Sequence, residues 1–246
     1  MAGVRYQIPP KVLDLEQLAK SPEVCAALPR LKRVVRKAGH TQSCLADLMQ
    51  ADAFLTNLRS LPGINSKFQT KGDDVVANAL LIGAVIFYAR ATSTSGSKGE
   101  RGSADIRSSL SSKELGDHSL IVTVRNTAIA HVYSDRKLDD VSWHSQRLCL
   151  IQDGVGFRPA SASNMVTVNS KVARSLERQL PIALKILHER FQKHIEKIAS
   201  DLQNADLDIS IYLKHEVDPV EFFGSEAMAK SVVENPSQAQ IRRIPD

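Results

Sequence analysis

The 246-residue sequence predicts an all-α fold, a helical bundle carrying a small β-hairpin appendage. Three observations lead there. Apolar residues recur at three- and four-residue steps through most of the chain, the period of one helix face. Helix start signals stand ahead of those stretches, notably Ser21-Pro22 and Ser111-x-x-Glu114. A single stretch breaks the pattern: LCLIQDGVGFRP (148–159) sets β-type residues on either side of an Asp-Gly turn.

Taken in order, Pro9-Pro10 precedes KVLDLEQLAK, where Val12, Leu13, Leu15 and Leu18 give a first helical stripe. Ser21-Pro22 opens a second helix, broken at Pro29 and ended at Gly39 after the basic cluster RLKRVVRK. A third spans about 44–61 and stops at an LPG turn; Asp73 and Asp74 open a very apolar fourth, through about Ala91. Its run VVANALLIGAVIFYA (75–89) is about a turn short of a membrane span and contains Asn78, so a buried helix is expected, with no membrane partner.

TSTSGSKGERGSADIRSSLSS (92–112) is rich in Ser and Gly, with Arg101 and Arg107 among its cations. Its composition predicts a mobile surface loop, either a plain linker or one whose arginines contact RNA phosphates. The Ser111–Glu114 capping box then starts a fifth helix with Leu115, Val122 and Ile129 on its buried edge. After the hairpin, MVTV (165–168) reads as a further strand. The longest helix runs from about Ser170 to Gln203, with Val172, Leu176, Leu180, Leu187 and Phe191 on one face and a kink expected at Pro181. LDISIYL (207–213) reads as a terminal strand. One domain is expected over 1–223, its motif-bearing core at about 40–203, followed by a polar flexible tail over 224–246.

Bulk properties narrow the function only slightly. Net charge +5 permits a polyanionic partner. Aromatic residues at 5% argue against a large base-stacking platform. Cys25, Cys44 and Cys149 form no CxxC pair and read as core thiols in a reducing cytoplasm. No clustered Asp/Glu/His set of metal-ligand type is present, and no cofactor or metal is expected.

Chemistry concentrates in RNTAIAH (125–131), at the end of the fifth predicted helix. An Arg followed by His after four to six residues is a weak pattern: with 17 Arg and 7 His, roughly one chance match is expected. Arg33 and His40 also satisfy it, in RVVRKAGH, where a basic helix end is the plain explanation. Only eight of the 246 residues are asparagine, so requiring Asn126 directly after Arg125 lowers the chance expectation to roughly 0.05.

This string, Arg125-Asn126 with His131 near a helix end, resembles the signature of the HEPN superfamily of nucleotide-binding helical domains. The resemblance implies a HEPN-like helical bundle in which Arg125, Asn126 and His131 are catalytic. It extends to Tyr133, which gives the His-x-Tyr of HEPN toxins and reads as a regulatory or RNA-contacting residue or as a packing one. The Ser/Arg-rich 92–112 stretch is similar to a connection in phage-exclusion HEPN proteins. His118, seven residues before Arg125, falls on nearly the same helix face; it reads as a surface histidine or as a lining of the same cleft.

The implied activity is metal-independent endoribonuclease cleavage, as a toxin or phage-defence effector in the cytoplasm, with an antitoxin or regulatory protein as restraint. The alternative is a catalytically inactive HEPN-like bundle that binds RNA or a partner protein. On a regular helix Arg125 and His131 differ in direction by about 120°. Either the helix distorts, or a second copy completes the site. HEPN nucleases resemble the second case, so a homodimer with a shared active cleft is expected.

Overall fold

A computed structural model of the chain describes residues 11–61, 71–94, 96, 101–129, 137–138, 141–142, 144–152, 154, 156–165 and 170–234. These are predominantly helical with a few short strands. They fall into two compact units, one of residues 39–193 and one of residues 1–38 with 194–246.

The unit of residues 39–193 holds the candidate site. Its helices are the greater part of α3 (Leu31–Ser60), α4 (Lys71–Thr92), α5 (Ser112–Val124) and most of α6 (Ser170–Gln203). Their apolar faces make one core, in which Leu48, Leu55, Leu81, Val85, Ile121, Leu176, Leu180 and Leu187 are all buried. Burying each such side chain is worth about 1.5–3 kcal/mol, so this core supplies the driving force for the unit. The α6 stripe is buried at Val172, Leu176, Leu180, Leu187 and Phe191, while Pro181 sits exposed within the helix.

Helices α3 and α4 approach closely because Gly83 has no side chain. A Cβ there would lie 3.2 Å from the Phe54 ring. Phe54 in turn packs on Phe87, with ring centroids 5.6 Å apart, and the Arg90 guanidinium lies 4.4 Å from the Phe87 centroid. The stretch Val75–Thr92 of α4 is long and apolar enough to cross a membrane, and half of it is buried within the fold. The buried half includes Ala77, Leu81, Ala84, Val85 and Tyr88.

Strands β4 (His144–Gln152) and β5 (Phe157–Met165) form the hairpin, paired antiparallel from His144↔Met165 to Gln152↔Phe157. Gly154 in its turn adopts φ +81, the left-handed conformation that the expected Asp-Gly turn requires. Ahead of it, β2 (Lys137–Leu138) and β3 (Val141–Ser142) form a minimal second hairpin.

In the other unit, β1 (Val12–Leu13) pairs antiparallel with β6 (Glu216–Val217). Short helices α1 (Leu15–Leu18) and α2 (Pro22–Ala27) are capped by Asp14 and Ser21, and α7 (Ile209–Leu213) and α8 (Pro219–Phe223) by Asp208 and Asp218. Helix α9 (Glu226–Glu234) follows Gly224, which ends α8 at φ +78.

Several elements differ from the sequence reading. Residues 11–20 begin as a strand, because Val12 and Leu13 take backbone partners from β6 before Asp14 can cap a helix. Helix α3 does not stop at Gly39 but runs through it to Ser60; beyond its chain neighbours and own helix backbone, no atom lies within 4 Å of where a Gly39 Cβ would be. Residues 207–213 are not a strand: the Asp208 carboxylate accepts from Ser210 N at 2.7 Å and starts α7. The tail expected from 224 contains α9, whose Ala229 is buried. Met165 of the expected MVTV strand ends β5, and residues 166–168 lie outside the described residues.

The 92–112 segment is the largest departure. Over 101–110 it packs: Ile106 is fully buried and Ala104 nearly so. Backbone bonds tie Ser103 to Thr94 and Ala104 to Ala91, and Arg190 of α6 donates to the Asp105 carbonyl at 2.7 Å. Two apolar side chains and these anchors outweigh a composition that, averaged over the segment, is that of a linker.

Candidate active site

Helix α5 leads into Arg125, and its start is fixed locally. The Ser111 hydroxyl accepts from Glu114 N, and Glu114 returns the bond by accepting from Ser111 N at 2.6 Å. One turn on, Asp117 accepts from Ser175 and Arg178 of α6 at 2.6–2.8 Å. The Arg178 hydrogen bonds hold its carboxyl below the usual aspartate range, against the opposing effect of burial. The helix buries His118, Ile121 and Val124, not the expected Leu115, Val122 and Ile129 edge, which is half-buried beside it.

At Arg125 the backbone changes. Residues Arg125–Ile129 form a π-helical turn, widened from the i→i+4 to the i→i+5 bonding pattern. A local cause is present: the Thr127 hydroxyl donates back to the Thr123 carbonyl at 2.7 Å, the kind of side-chain bond that bends helices. The widened turn is held at both ends, by Val124, fully buried, and by Ile129, packed against the core. Helix α4 runs alongside it.

The Arg125 Nη1 donates to the Asn126 Oδ1 at 3.0 Å. Arg125 is half-buried and Asn126 exposed. Adjacent helical residues diverge by about 100°, so the long arginine folds back along the surface to reach its neighbour. The pair presents a planar guanidinium fork and a carboxamide side by side, a set that binds phosphoryl oxygens well. His131 and Tyr133 lie outside the described residues.

His118 is not on the surface, nor does it line a cleft with Arg125. It is 4% exposed, in the interior between α4, α5 and α6. Its Nδ1 lies 2.9 Å from the Tyr88 hydroxyl, which is 3.4 Å from Gln179 Oε1; the Gln179 amide donates to the Glu114 carbonyl at 2.6 Å. Tyr88 and Gln179 are fully buried. Burial, aided by the Arg107 charge and opposed by Asp105, pulls the His118 pKa below the ordinary histidine value. Burial pushes the Tyr88 phenol upward. Both are neutral at pH 7, and the network is structural. Its physical reason is that the helix face carrying His118 continues through Ile121 and Val124 into the core.

Arg101 and Arg107 do not join Arg125. Arg101 donates to Ser43 and to Asp47 of α3, and Arg90 of α4 donates to the same carboxylate. Burial would raise the Asp47 pKa, but the two arginines outweigh it and lower it. Arg107 pairs with Asp105, whose carboxyl falls to about 2 chiefly through Arg107 hydrogen bonds. The second Arg–His match has a structural account: His40 Nε2 donates to the Gly102 carbonyl at 2.7 Å, anchoring the packed segment to α3.

Sequence reading missed Tyr88, Gln179 and Asp47. A tyrosine inside an apolar helix was the available signal, since a buried hydroxyl requires a partner. The three thiols also differ from expectation: Cys44 is buried, Cys25 half-buried and Cys149 exposed on β4. Among the described residues, no group of three or more His, Cys, Asp or Glu side chains is arranged to hold a metal ion. No protein-family model, curated protein or solved structure matches the chain.

Proposed function

We propose that the protein is a HEPN-type endoribonuclease that cleaves RNA without a metal, as a cytoplasmic toxin or phage-defence effector. The observation that carries this reading is the π turn that begins at Arg125, whose guanidinium donates to the Asn126 side chain. Such insertions in α-helices concentrate at functional sites.

RNA supplies its own nucleophile in the 2′-hydroxyl next to each phosphate. His131 removes that proton or delivers one to the leaving 5′-oxygen, since an imidazole can act as base or acid. The Arg125 fork spans two phosphoryl oxygens and stabilises the charge that builds on them. Asn126 accepts from Arg125 through Oδ1, which leaves its amide hydrogens for phosphate or for orienting His131. A second copy supplies the second histidine, so acid and base are divided across a dimer cleft. A regulatory protein restrains the activity, because an unchecked ribonuclease harms its host.

The test is RNA cleavage in excess chelator by the wild type and by His131→Ala, with identification of the new ends. Cleavage by the wild type alone, leaving 2′,3′-cyclic phosphate, is the expected result. Intact RNA that is nevertheless retarded in a gel assigns the chain to an inactive RNA-binding bundle. A monomer that still cleaves removes the shared cleft.

A further inference from the structure

Positive charge concentrates where α3 begins. Arg30, Lys32, Arg33, Arg36 and Lys37 put five cations into eight residues, as many as the chain's whole net charge of +5. All five are exposed. No Asp or Glu stands between Glu23 and Asp47, and both of those are taken, Glu23 by Lys214 and Asp47 by Arg90 and Arg101. Among the described residues, no carboxylate lies within ion-pair reach of Arg30, Lys32, Arg33 or Arg36. Elsewhere in the same unit Lys11, Lys20, Lys197 and Lys214 each meet one.

The helix sorts these side chains by face. Leu31, Val35 and Ala38, at i, i+4 and i+7, are buried. At about 100° per residue, Lys32, Arg33, Arg36 and Lys37 fall within an arc of roughly 140° centred opposite that stripe. Arg30 stands one residue ahead of the helix. Stability does not explain the placement. The first turn of α3 holds no acidic residue, so cations there oppose the helix dipole, and those at i,i+4 repel each other. A partner of opposite sign removes both penalties.

We infer that this face of α3 docks the phosphate backbone of a nucleic acid, reading charge and not sequence. Arginine forks and lysine ammonium groups suit phosphate oxygens. No aromatic residue occurs between 24 and 46 to stack on a base. From residue 30 to 37 the helix advances about 10 Å, a length over which one strand of a duplex carries about three phosphates. The face is blind to the sugar, so only the choice of RNA as occupant rests on the ribonuclease reading.

Other anionic partners fit this face poorly. A helix that lies on a membrane sinks its apolar face among the headgroups, and here Leu31, Val35 and Ala38 are already covered by the fold. A protein partner draws most of its energy from anchors buried in desolvated pockets, and no apolar side chain stands among the cations of the arc. A phosphate backbone needs neither.

The experiment is fluorescence anisotropy of the full chain with a fully 2′-O-methylated RNA oligonucleotide, which lacks the free hydroxyl and cannot be cleaved. Affinities are taken between about 50 and 200 mM salt. The wild type is expected to bind, with affinity falling steeply as salt rises. In Arg30→Gln/Lys32→Gln/Arg33→Gln/Arg36→Gln, losing about three phosphate contacts should cut the log–log salt slope by about two units and weaken low-salt binding at least tenfold, with helical circular dichroism unchanged. The milder Arg33→Gln/Arg36→Gln should give about half that change in slope, and Arg33→Lys/Arg36→Lys should keep the wild-type slope. A wild type that leaves the oligonucleotide free overturns the docking face, as does a Gln variant with the wild-type slope. A Gln variant that keeps the oligonucleotide but no longer sediments with phosphatidylserine vesicles overturns it too, and assigns the face to lipid. Because binding is read without cleavage, tight binding beside intact natural RNA would remove only the ribonuclease reading; cleavage with unaltered binding in the Gln variants would remove only the docking face.

Discussion

Tyr88→Phe is the substitution that bears most directly on how the site-bearing helix is held. It removes one oxygen and leaves the ring packed. His118 Nδ1, at 2.9 Å, and Gln179 Oε1, at 3.4 Å, then lose their shared partner in a region 0–4% exposed. The longer contact is weak, so the cost comes mainly from the histidine, about 1–3 kcal/mol for a buried group left unsatisfied. For a chain of this size each kcal/mol lowers Tm by about 2–4 °C, giving a fall of roughly 2–12 °C. Thermal and urea unfolding followed by circular dichroism measure it. The stronger form is a double-mutant cycle with His118→Leu. Removing both polar partners costs less than the sum of the single changes, because no orphaned group remains. Strictly additive losses, or an unaltered Tm for Tyr88→Phe, would refute the network as a structural element.

The same histidine sets a pH dependence. Its folded pKa is depressed, so the unfolded chain binds the proton more readily; its contribution is intact above the unfolded value of about 6.5 and is lost as pH falls towards the folded value. Urea midpoints between pH 8 and 5 should therefore decline below about 6.5, and His118→Leu should flatten that decline. Asp47→Asn leaves Arg90 and Arg101 without their common carboxylate; with Arg90 half exposed, the loss is discounted to about 1–3 kcal/mol, and hydrogen exchange should rise over 101–106. Arg125→Lys replaces a fork by a point charge, so RNA cleavage should drop about 10²–10³-fold with Tm unchanged, measured under single-turnover conditions.

Much of this architecture was legible before any coordinates. The capping box at Ser111 and Glu114, the α6 stripe and the Asp-Gly hairpin are each specified by residues close in sequence. What escaped depends on partners remote in the chain. Gly39 reads as a stop, yet the helix passes through it. Ile106 looks like one apolar residue in a polar linker until the core that receives it exists. His118 read as a surface histidine near the start of its helix, although its own face is the one that turns inward. At the site, the identities of Arg125 and Asn126 were readable; the π turn beneath them, where the Thr127 hydroxyl reaches back to a carbonyl at 2.7 Å, was not.

That widened turn holds a spare residue. Deleting one position between Thr127 and Ile129 lets the backbone relax into an unbroken α-helix, whereas the same deletion inside α5 rotates the core face out of place. In α5 that deletion would swing everything after it by about 100°. The segment 125–129 therefore behaves as a register adjuster: it can absorb the loss of a residue that the regular turns of α5 cannot.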